Sequence, residues 1–193
     1  MTRFWWVRHG PTHAKGMVGW TDVPADLSDA VALARLADYL PAGAPVISSD
    51  LLRCRATAEA VIGSRPTLGA DRDLREIHFG DWEQQTSADL ATAEPELSRA
   101  FWSAPGDIAL PGGESWNAMA KRVRERVNGL CREFPDQDVI AVAHYGVILS
   151  QIQMAAGISA QAATSFHVDY LSVTRIDHLG DDMWRVHSVN RTP

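Results

Sequence analysis

Two histidines follow apolar segments in this chain, and each has a glycine close behind it. The residues Val7–Gly10 read VRHG, and the residues Val142–Gly146 read VAHYG. A short apolar run that stops at a glycine is typical of a buried strand. An imidazole nitrogen can attack phosphorus, and a guanidinium group can bind an anion through two parallel hydrogen bonds. We therefore predict that His9 is a nucleophile and that Arg8 binds an anionic substrate.

A third apolar segment, Pro45–Ser49, leads into a second arginine. Arg53 falls in the first turn of the helix that follows, where backbone N–H groups favour anions. In open parallel sheets, the carboxyl ends of the strands form a ligand-binding crevice. If the three segments are neighbouring strands, Arg53 and His144 lie beside the first histidine in that crevice. Two guanidinium groups and two imidazoles suit a phosphomonoester dianion, and we expect His144 to donate hydrogen bonds to its oxygens.

A phosphomonoester also requires an acid, because the departing alkoxide needs a proton. We expect a carboxyl group to overhang the predicted pocket. Glu76, in the segment LREIHFG, is our choice for this role. Asp73, Asp81 and Glu83 lie in the same part of the chain, and the residue types alone leave these alternatives open.

The order of strand-like and helix-like segments predicts the fold class. The first half alternates strand, helix, strand and helix, which indicates a parallel sheet. We predict an α/β fold, a three-layer α/β/α sandwich with a mostly parallel central sheet, in which residues 1–193 form a single domain. The predicted helices are Ser28–Leu40, a helix capped by Ser49 or Asp50 that runs to about Ile62, Thr86–Trp102 in two pieces broken at Pro95, an apolar-striped helix from Trp116 to Phe134, and Val147–Ala156. The later predicted strands are Asp138–Ala143, Phe166–Asp177 and Met183–Asn190, with a hairpin turn at Gly180.

Composition and charge limit the function classes. The 193 residues carry a formal net charge of −6, so no nucleic-acid partner is expected. No run approaches ~18 apolar residues and the N-terminus lacks a signal-peptide pattern, so we expect a soluble protein with no membrane partner. Cys54 and Cys131 form no metal or disulfide pattern, which favours a cytoplasmic location. An edge hairpin and exposed aromatic residues allow a homodimer without requiring one.

Five segments resemble, in the same order, the successive signatures of the histidine phosphatase superfamily: VRHGPT, SSDLLRCRATA, LREIHFGDWE, PGGES and VIAVAHYG. The resemblance runs from Phe4 to about Leu149 and is to the phosphoglycerate mutase-like branch. It implies an α/β/α sandwich and a phosphohistidine mechanism with no metal ion and no other cofactor. It also implies that His9 is the nucleophile and that Glu76 is the proton donor. The other phosphate-pocket residues that it implies are Arg8, Arg53 and His144.

The chain departs from the family pattern at positions that concern the substrate. Pro11 stands where Glu or Gln usually follows RHG, and Lys15 stands near the usual Asn. Tyr145 replaces a small residue after the second histidine, and Gln84 replaces the glycine of WEG. If Lys15 points inward, the substrate carries a second anionic group. The substrate-binding residues that we expect are Thr12, Lys15, Thr21 and Tyr145.

The predicted function is metal-independent hydrolysis of a small phosphomonoester, and three alternatives stay open. A phosphomutase would return the phosphoryl group to a second hydroxyl group. A non-catalytic module would only bind phosphorylated ligands. A zinc site could use four of the histidines, although their spacing is not HExxH and neither cysteine lies near a histidine. These four are His9, His13, His78 and His144. The substrate itself stays open among α-ribazole phosphate, sugar phosphates and phosphoglycerates.

Overall fold

A mixed sheet of six strands forms the centre of the molecule, and the computed structural model describes all 193 residues. The strands are β1 (Thr2–Arg8), β2 (Val46–Ser49), β3 (Thr67–Asp71), β4 (Asp138–Ala143), β5 (Val173–Gly180) and β6 (Met183–Arg191). Their order in the sheet is β3-β2-β4-β1-β5-β6. The first four strands in this order run parallel, β5 is antiparallel to β1, and β6 is antiparallel to β5. The prediction of a mostly parallel central sheet is confirmed.

Helices cover both faces of the sheet. They are α1 (Ala30–Tyr39), α2 (Leu52–Ile62), α3 (Ser87–Ala93), α4 (Pro95–Ser103), α5 (Trp116–Glu133), α6 (Tyr145–Ala156) and α7 (Ala160–Ala163). Successive residues of a strand point to opposite faces. In β4, Val139 and Ala141 join a hydrophobic cluster with residues of α5 and α6, whereas Ile140 and Val142 join a second cluster with residues of α1 and α2. The predicted α/β/α sandwich is therefore confirmed.

Strands β1 and β4 are anchored by burial on both faces. In β1, Phe4 and Trp6 are buried on one face and Val7 on the other, and the whole of Val139–Ala143 in β4 is buried. Full burial of a large apolar side chain contributes about 1.5–3 kcal/mol, so these strands have little freedom to shift. Arg8 lies opposite Ala143 in their parallel register. The residues that follow the two strands are consequently held side by side at one edge of the sheet.

The side-chain cap predicted for α2 is wrong. Leu51 occupies the N-cap position, and no side chain there accepts a hydrogen bond from the first turn. The two expected caps have other partners. The Ser49 hydroxyl lies 2.9 Å from Nε2 of His144, and the Asp50 carboxylate binds Arg75 at 2.7 Å. Neither side chain caps the helix.

Two parts of the sheet edges differ from the sequence prediction. Strand β3 was not predicted, because its sequence TLGAD has no apolar run and Gly69 adopts a positive φ of 82°. The segment predicted as a strand from Phe166 becomes one only at Val173, and the residues before it form a loop that follows α7. That loop matters for the site, because it carries Tyr170.

The remaining helix predictions are confirmed with small shifts in their ends. Pro95 begins α4, so that α3 and α4 are two separate short helices. Helix α6 starts at Tyr145, two residues before the predicted position, and ends at Gly157, which has a left-handed backbone with φ 63°. None of the helices combines the length and the apolar composition that a membrane span requires. The cytoplasmic location and the homodimer stay predictions.

Candidate active site

The candidate site lies at the carboxyl ends of β1, β2 and β4, which are neighbours in the sheet. Arg8 is the last residue of β1, His144 follows β4, and Arg53 lies in the first turn of α2. The backbone N–H of His9 donates to the Ala143 carbonyl at 3.1 Å, which ties the two strand ends together. The sequence prediction that these side chains meet at one sheet edge agrees with this arrangement.

His9 is buried and held in one tautomer. Its Nδ1 lies 2.7 Å from the carbonyl oxygen of Gly10, which can only accept, so Nδ1 carries the proton and Nε2 keeps its lone pair. Burial and then the positive charge of Arg53 lower the pKa of His9 to about 3. The ring is therefore neutral near pH 7. A neutral imidazole with an unprotonated Nε2 is the form that can act as a nucleophile.

Arg53 is buried, and its guanidinium group is fixed by three acceptors. Nη1 donates to the Thr21 carbonyl at 3.0 Å, and Nη2 donates to the Gly19 carbonyl at 2.6 Å. Nε donates to Nδ1 of His144 at 3.2 Å. Because a guanidinium group only donates, Nδ1 of His144 is the unprotonated nitrogen and Nε2 carries the hydrogen. Burial and the charge of Arg53 lower the pKa of His144 well below its ordinary value, so this ring is also neutral.

His144 lies behind the pocket wall and is fully buried. Its ring meets the ring of His9 edge to face, with centroids 5.1 Å apart. Arg53 and Ser49 occupy its two ring nitrogens, and Cys54 Sγ lies 3.4 Å from Nε2. This arrangement differs from the expectation that His144 donates hydrogen bonds to the substrate, because neither nitrogen is free to do so.

Arg8 is held between a backbone carbonyl and two aromatic rings. Its Nη1 donates to the Val168 carbonyl at 2.6 Å. The guanidinium carbon lies 3.8 Å from the ring centroid of Tyr170 and 5.0 Å from that of Tyr145. The buried Nε–H of Arg8 has no hydrogen-bond partner within the protein. An unpaired buried donor costs about 1–3 kcal/mol, and an anion in the pocket is a group that could pair with it.

Glu76 is a buried carboxyl group at the edge of the same pocket. Oε2 accepts a hydrogen bond from the Gly146 N–H and Oε1 accepts one from the Ile77 N–H, both at 3.0 Å. Burial raises the pKa of Glu76 despite these two hydrogen bonds. A Cβ atom on Gly146 would lie 2.5 Å from Oε1, so a side chain at position 146 would displace the Glu76 carboxyl group. Glu76 can therefore retain a proton to higher pH than an exposed glutamate.

The other carboxylates considered as proton donors lie outside the pocket. Asp73 and Asp81 are exposed and do not line the pocket. Glu83 accepts hydrogen bonds from the backbone N–H groups of Gly19, Trp20 and Thr21 and from the Thr21 hydroxyl. Although burial opposes it, hydrogen bonds from Thr21 and Trp20 lower the pKa of Glu83. Glu83 thus holds the loop whose carbonyl groups bind Arg53.

These side chains enclose a cavity of about 190 Å³, which we call the strand-end pocket. The residues that sequence analysis singled out and that line it are Arg8, His9, Thr12, Arg53, Glu76 and Tyr145. The residues that sequence analysis missed are Ala14, Gly16, Val18 and Tyr170. No sequence signal identifies Tyr170, because it comes from the loop before β5, about 160 positions after β1, and belongs to none of the five motifs.

Two of the expected substrate-binding residues do not line the strand-end pocket. Lys15 is exposed, and only its neighbours Ala14 and Gly16 reach the lining. Thr21 uses its hydroxyl to bind Glu83 and its carbonyl to bind Arg53. The expectation for Lys15 and Thr21 is corrected: the first side chain lies outside the pocket and the second supports it from behind.

Two nearby tryptophans lie outside the strand-end pocket, and the four histidines of the zinc alternative do not form a metal site. Trp82 is fully buried in the hydrophobic core, and Trp20 donates its Nε1–H to the Glu76 carbonyl, so neither lines the strand-end pocket. His13 is exposed and pairs with Asp26, and His78 meets Trp20 edge to face. The structure contains no group of three or more His, Cys, Asp or Glu that could hold a metal ion.

The site thus defines a class of protein: an α/β sandwich that presents a neutral histidine, two arginines and a buried carboxyl group at its strand ends. The sequence profile of the histidine phosphatase superfamily, branch 1, matches residues 4–192. The chain belongs to this superfamily.

Several known proteins are similar over most of the chain. The adenosylcobalamin/alpha-ribazole phosphatase of Salmonella typhimurium is 31% identical over 182 residues, covering 91% of this chain and 90% of the relative. The bifunctional protein Rv2228c of Mycobacterium tuberculosis is 30% identical over 99% of this chain, but this chain spans only 54% of the length of that relative. The metal-independent phosphoserine phosphatase of Arabidopsis thaliana is 29% identical over 94% of this chain and 78% of the relative.

Solved structures show the same fold. YhfR of Bacillus stearothermophilus superposes with a TM-score of 0.89 at 28% identity, covering 100% of this chain and 98% of the other. The mycobacterial glucosyl-3-phosphoglycerate phosphatase Rv2419c superposes with a TM-score of 0.85 at 26% identity, covering 99% of both chains. The relatives named as phosphatases differ in the substrates their names give, so they do not by themselves indicate one substrate.

Proposed function

We propose that this chain hydrolyses a small phosphomonoester through a phosphohistidine on His9, without a metal ion. The observation that carries the proposal is the neutral, buried imidazole of His9, whose unprotonated Nε2 lies in a pocket with Arg8, Arg53 and Glu76. Membership of the histidine phosphatase superfamily and the names of the relatives support hydrolysis of phosphorylated small molecules.

In the first step, Nε2 of His9 attacks the phosphorus atom and the bond from phosphorus to the ester oxygen breaks. Arg8 and Arg53 bind the phosphoryl oxygens and balance their charge in the transition state. Both arginines line the strand-end pocket. Glu76 donates its proton to the departing oxygen, so that an alcohol leaves in place of an alkoxide.

In the second step, water attacks the phosphohistidine and the bond from nitrogen to phosphorus breaks. Glu76, now a carboxylate, accepts a proton from the attacking water. Inorganic phosphate leaves, and both His9 and Glu76 return to their starting protonation states. In a mutase, the second hydroxyl group of a bound intermediate would take the place of this water.

The test is release of phosphate from p-nitrophenyl phosphate and from a panel of phosphorylated metabolites, with and without EDTA. We expect EDTA-resistant turnover that His9→Ala lowers by at least about 1,000-fold. His187→Ala is the matched control, because His187 is exposed on β6 and far from the pocket lining. Wild-type enzyme quenched with alkaline denaturant, which preserves the acid-labile bond from nitrogen to phosphorus, should carry one phosphoryl group on His9, detectable by mass spectrometry.

Four results would contradict the proposal. Turnover that EDTA abolishes would indicate a metal-dependent reaction. Turnover that survives in His9→Ala would exclude His9 as the nucleophile. Transfer of phosphate between substrate hydroxyl groups without release would indicate a mutase, and binding of phosphorylated compounds with no reaction would indicate a binding module.

A further inference from the structure

We propose that the preferred substrate carries an uncharged, aromatic leaving group, which binds in a second cavity beside the strand-end pocket. This inference rests on the proposed function and names the substrate class for it. The second cavity, which we call the apolar cavity, has a volume of about 310 Å³. Its hydrophobic walls include Ile77, Phe79, Phe101, Trp102, Trp116 and Leu149.

The two cavities share a wall. Glu76 and Tyr145 line both the strand-end pocket and the apolar cavity. In the proposed reaction the carboxyl group of Glu76 protonates the departing oxygen, so that oxygen must lie beside Glu76 while the phosphoryl group lies against His9. The carbon skeleton attached to the departing oxygen then starts at the shared wall. The apolar cavity begins at that wall.

The polar groups of two aromatic residues that line the cavity, Trp116 and Tyr145, are already engaged elsewhere. The indole N–H of Trp116 donates to Oε1 of Gln153 at 2.7 Å. The Tyr145 hydroxyl donates to the carbonyl of Phe166 at 3.1 Å. These residues therefore present ring carbon to the cavity, and such surfaces favour apolar and aromatic ligands.

The charges around the apolar cavity also favour an uncharged leaving group. No Lys, Arg or His lines it, and its only acidic side chain is Glu76. A carboxylate or a second phosphate placed here would lose water without gaining a cationic partner. Lys15, the residue that could have bound a second anionic group, is exposed and lines neither cavity. The geometry disfavours leaving groups with a further negative charge.

The size and the opening of the cavity suit a planar ring. A volume of about 310 Å³ lies at the lower end of the range for small-molecule sites. Trp102 lines it while remaining 44% exposed, and it meets Phe101 edge to face with centroids 4.9 Å apart. Apolar surface of this tryptophan is therefore in contact with water, and a bound aromatic ring would cover it.

The experiment compares three aryl esters that lose phenols of similar acidity: phenyl phosphate, 2-naphthyl phosphate and 4-carboxyphenyl phosphate. The second ring of the naphthyl ester should raise kcat/KM about tenfold over phenyl phosphate, because it buries additional apolar surface. The carboxylate should lower kcat/KM at least about tenfold, because no cation is there to pair with it. A naphthyl ester no better than phenyl phosphate, or a preferred carboxyphenyl ester, would overturn the inference and leave the proposed function intact.

A variant tests whether the apolar cavity causes the preference. Trp102→Ala removes one wall and should lower the naphthyl-to-phenyl ratio of kcat/KM by about fivefold. The matched control is Tyr39→Ala, because Tyr39 is similarly exposed but lies on α1 and packs against Trp5, away from both cavities. An unchanged ratio in Trp102→Ala, or an equal change in Tyr39→Ala, would count against the cavity as the binding site.

A binding measurement separates this inference from the proposed function. Calorimetry with 1-naphthylmethylphosphonate and benzylphosphonate requires no turnover, since neither compound can be hydrolysed. We expect the naphthyl compound to bind about tenfold more tightly to the wild type and to lose that advantage in Trp102→Ala. If no ester is hydrolysed but this difference is found, the proposed function fails and the ligand class stands. If the two phosphonates bind equally, the inference fails whether or not the esters react.

Discussion

The strand-end pocket and the apolar cavity adjoin each other, but they are held in different ways. In the pocket, Arg53 has three hydrogen-bond acceptors, and Glu76 has two backbone donors. The walls of the apolar cavity are held by the packing of aromatic rings on α4 and α5. Hydrogen bonds to backbone groups impose a particular geometry, whereas packed rings tolerate changes of shape at modest cost. On the proposed function the chemistry belongs to the rigid region, and on the further inference substrate choice belongs to the adaptable one.

This difference predicts two kinds of mutational effect. A change in the strand-end pocket should lower the reaction of every ester by a similar factor, because each ester presents the same phosphoryl group. A change in the apolar cavity should alter the ratio between esters. Of the two residues on the shared wall, Glu76 should act on the rate through its proton and Tyr145 on the ratio through its ring. The variants below are ordered by the expected size of the effect, and the esters used are named for each.

The largest effect is expected for Arg53→Lys. A lysine keeps the charge but loses the planar group that reaches two loop carbonyls and His144. We expect kcat/KM to fall about 1,000-fold for both esters, with their ratio unchanged. Arg35→Lys on the exposed side of α1 is the control. Steady-state kinetics on variants whose thermal unfolding resembles that of the wild type would check this. If the naphthyl-to-phenyl ratio changed along with the rate, the pocket and the cavity would not act separately.

Glu76→Gln should remove the proton donor while keeping the shape of the side chain. We expect about a 100-fold loss of kcat/KM for phenyl phosphate, whose leaving group needs a proton. The loss for p-nitrophenyl phosphate should be smaller, since nitrophenolate leaves without one. Equal losses for the two esters would argue that Glu76 acts only through structure. The naphthyl-to-phenyl ratio should change little, because both phenols need the proton equally.

The pH dependence of wild-type activity should also show that Glu76 acts as a proton donor. Burial raises the pKa of Glu76, so its protonated form persists above the range of an ordinary glutamate and is lost as the pH rises through the raised value. Activity on phenyl phosphate should fall on that alkaline side. Because the pKa of His9 is about 3, its protonation adds no acid limb near neutral pH. Glu76→Gln should abolish this alkaline fall in activity. If the fall persists in the variant, another group causes it.

The strand-end pocket could be predicted from sequence largely because its main residues follow apolar strands. Arg8 and His9 follow a buried segment, and the parallel register of β1 and β4 brings His144 beside them. The sequence does not predict which way a side chain turns. Lys15 lies between two pocket-lining residues and still points to solvent.

The apolar cavity could not be predicted in this way. Trp116 begins an apolar stripe on α5 that is typical of core packing, and most of that stripe is indeed buried in the core. Whether such rings close the core or leave a cavity depends on how α4 meets α6, which no local pattern specifies. Tyr170 was missed for a related reason, because a loop far along the chain places it against Arg8.

Gly146→Ala should displace Glu76 without removing it. The added Cβ would lie 2.5 Å from Oε1, so the carboxyl group must move away from the shared wall. We expect kcat/KM for phenyl phosphate to fall about tenfold, less than in Glu76→Gln, since a displaced acid still donates in part. Gly106→Ala is the control, because the nearest atom to its added Cβ would be 3.7 Å away. If Gly146→Ala reacted at the wild-type rate, Glu76 could move without loss of activity.

The smallest effect is expected at Tyr145, the residue of the shared wall where the family usually has a small one. Tyr145→Gly removes a ring that lines both cavities, and the naphthyl-to-phenyl ratio should fall about threefold through lost apolar contact. Tyr145→Phe keeps the ring and loses only the hydrogen bond to the Phe166 carbonyl, so its ratio should match the wild type. If both variants change the ratio alike, the hydroxyl group acts on substrate choice and the wall is not merely apolar. If only Tyr145→Gly changes it, the ring itself links the rigid pocket to the adaptable cavity.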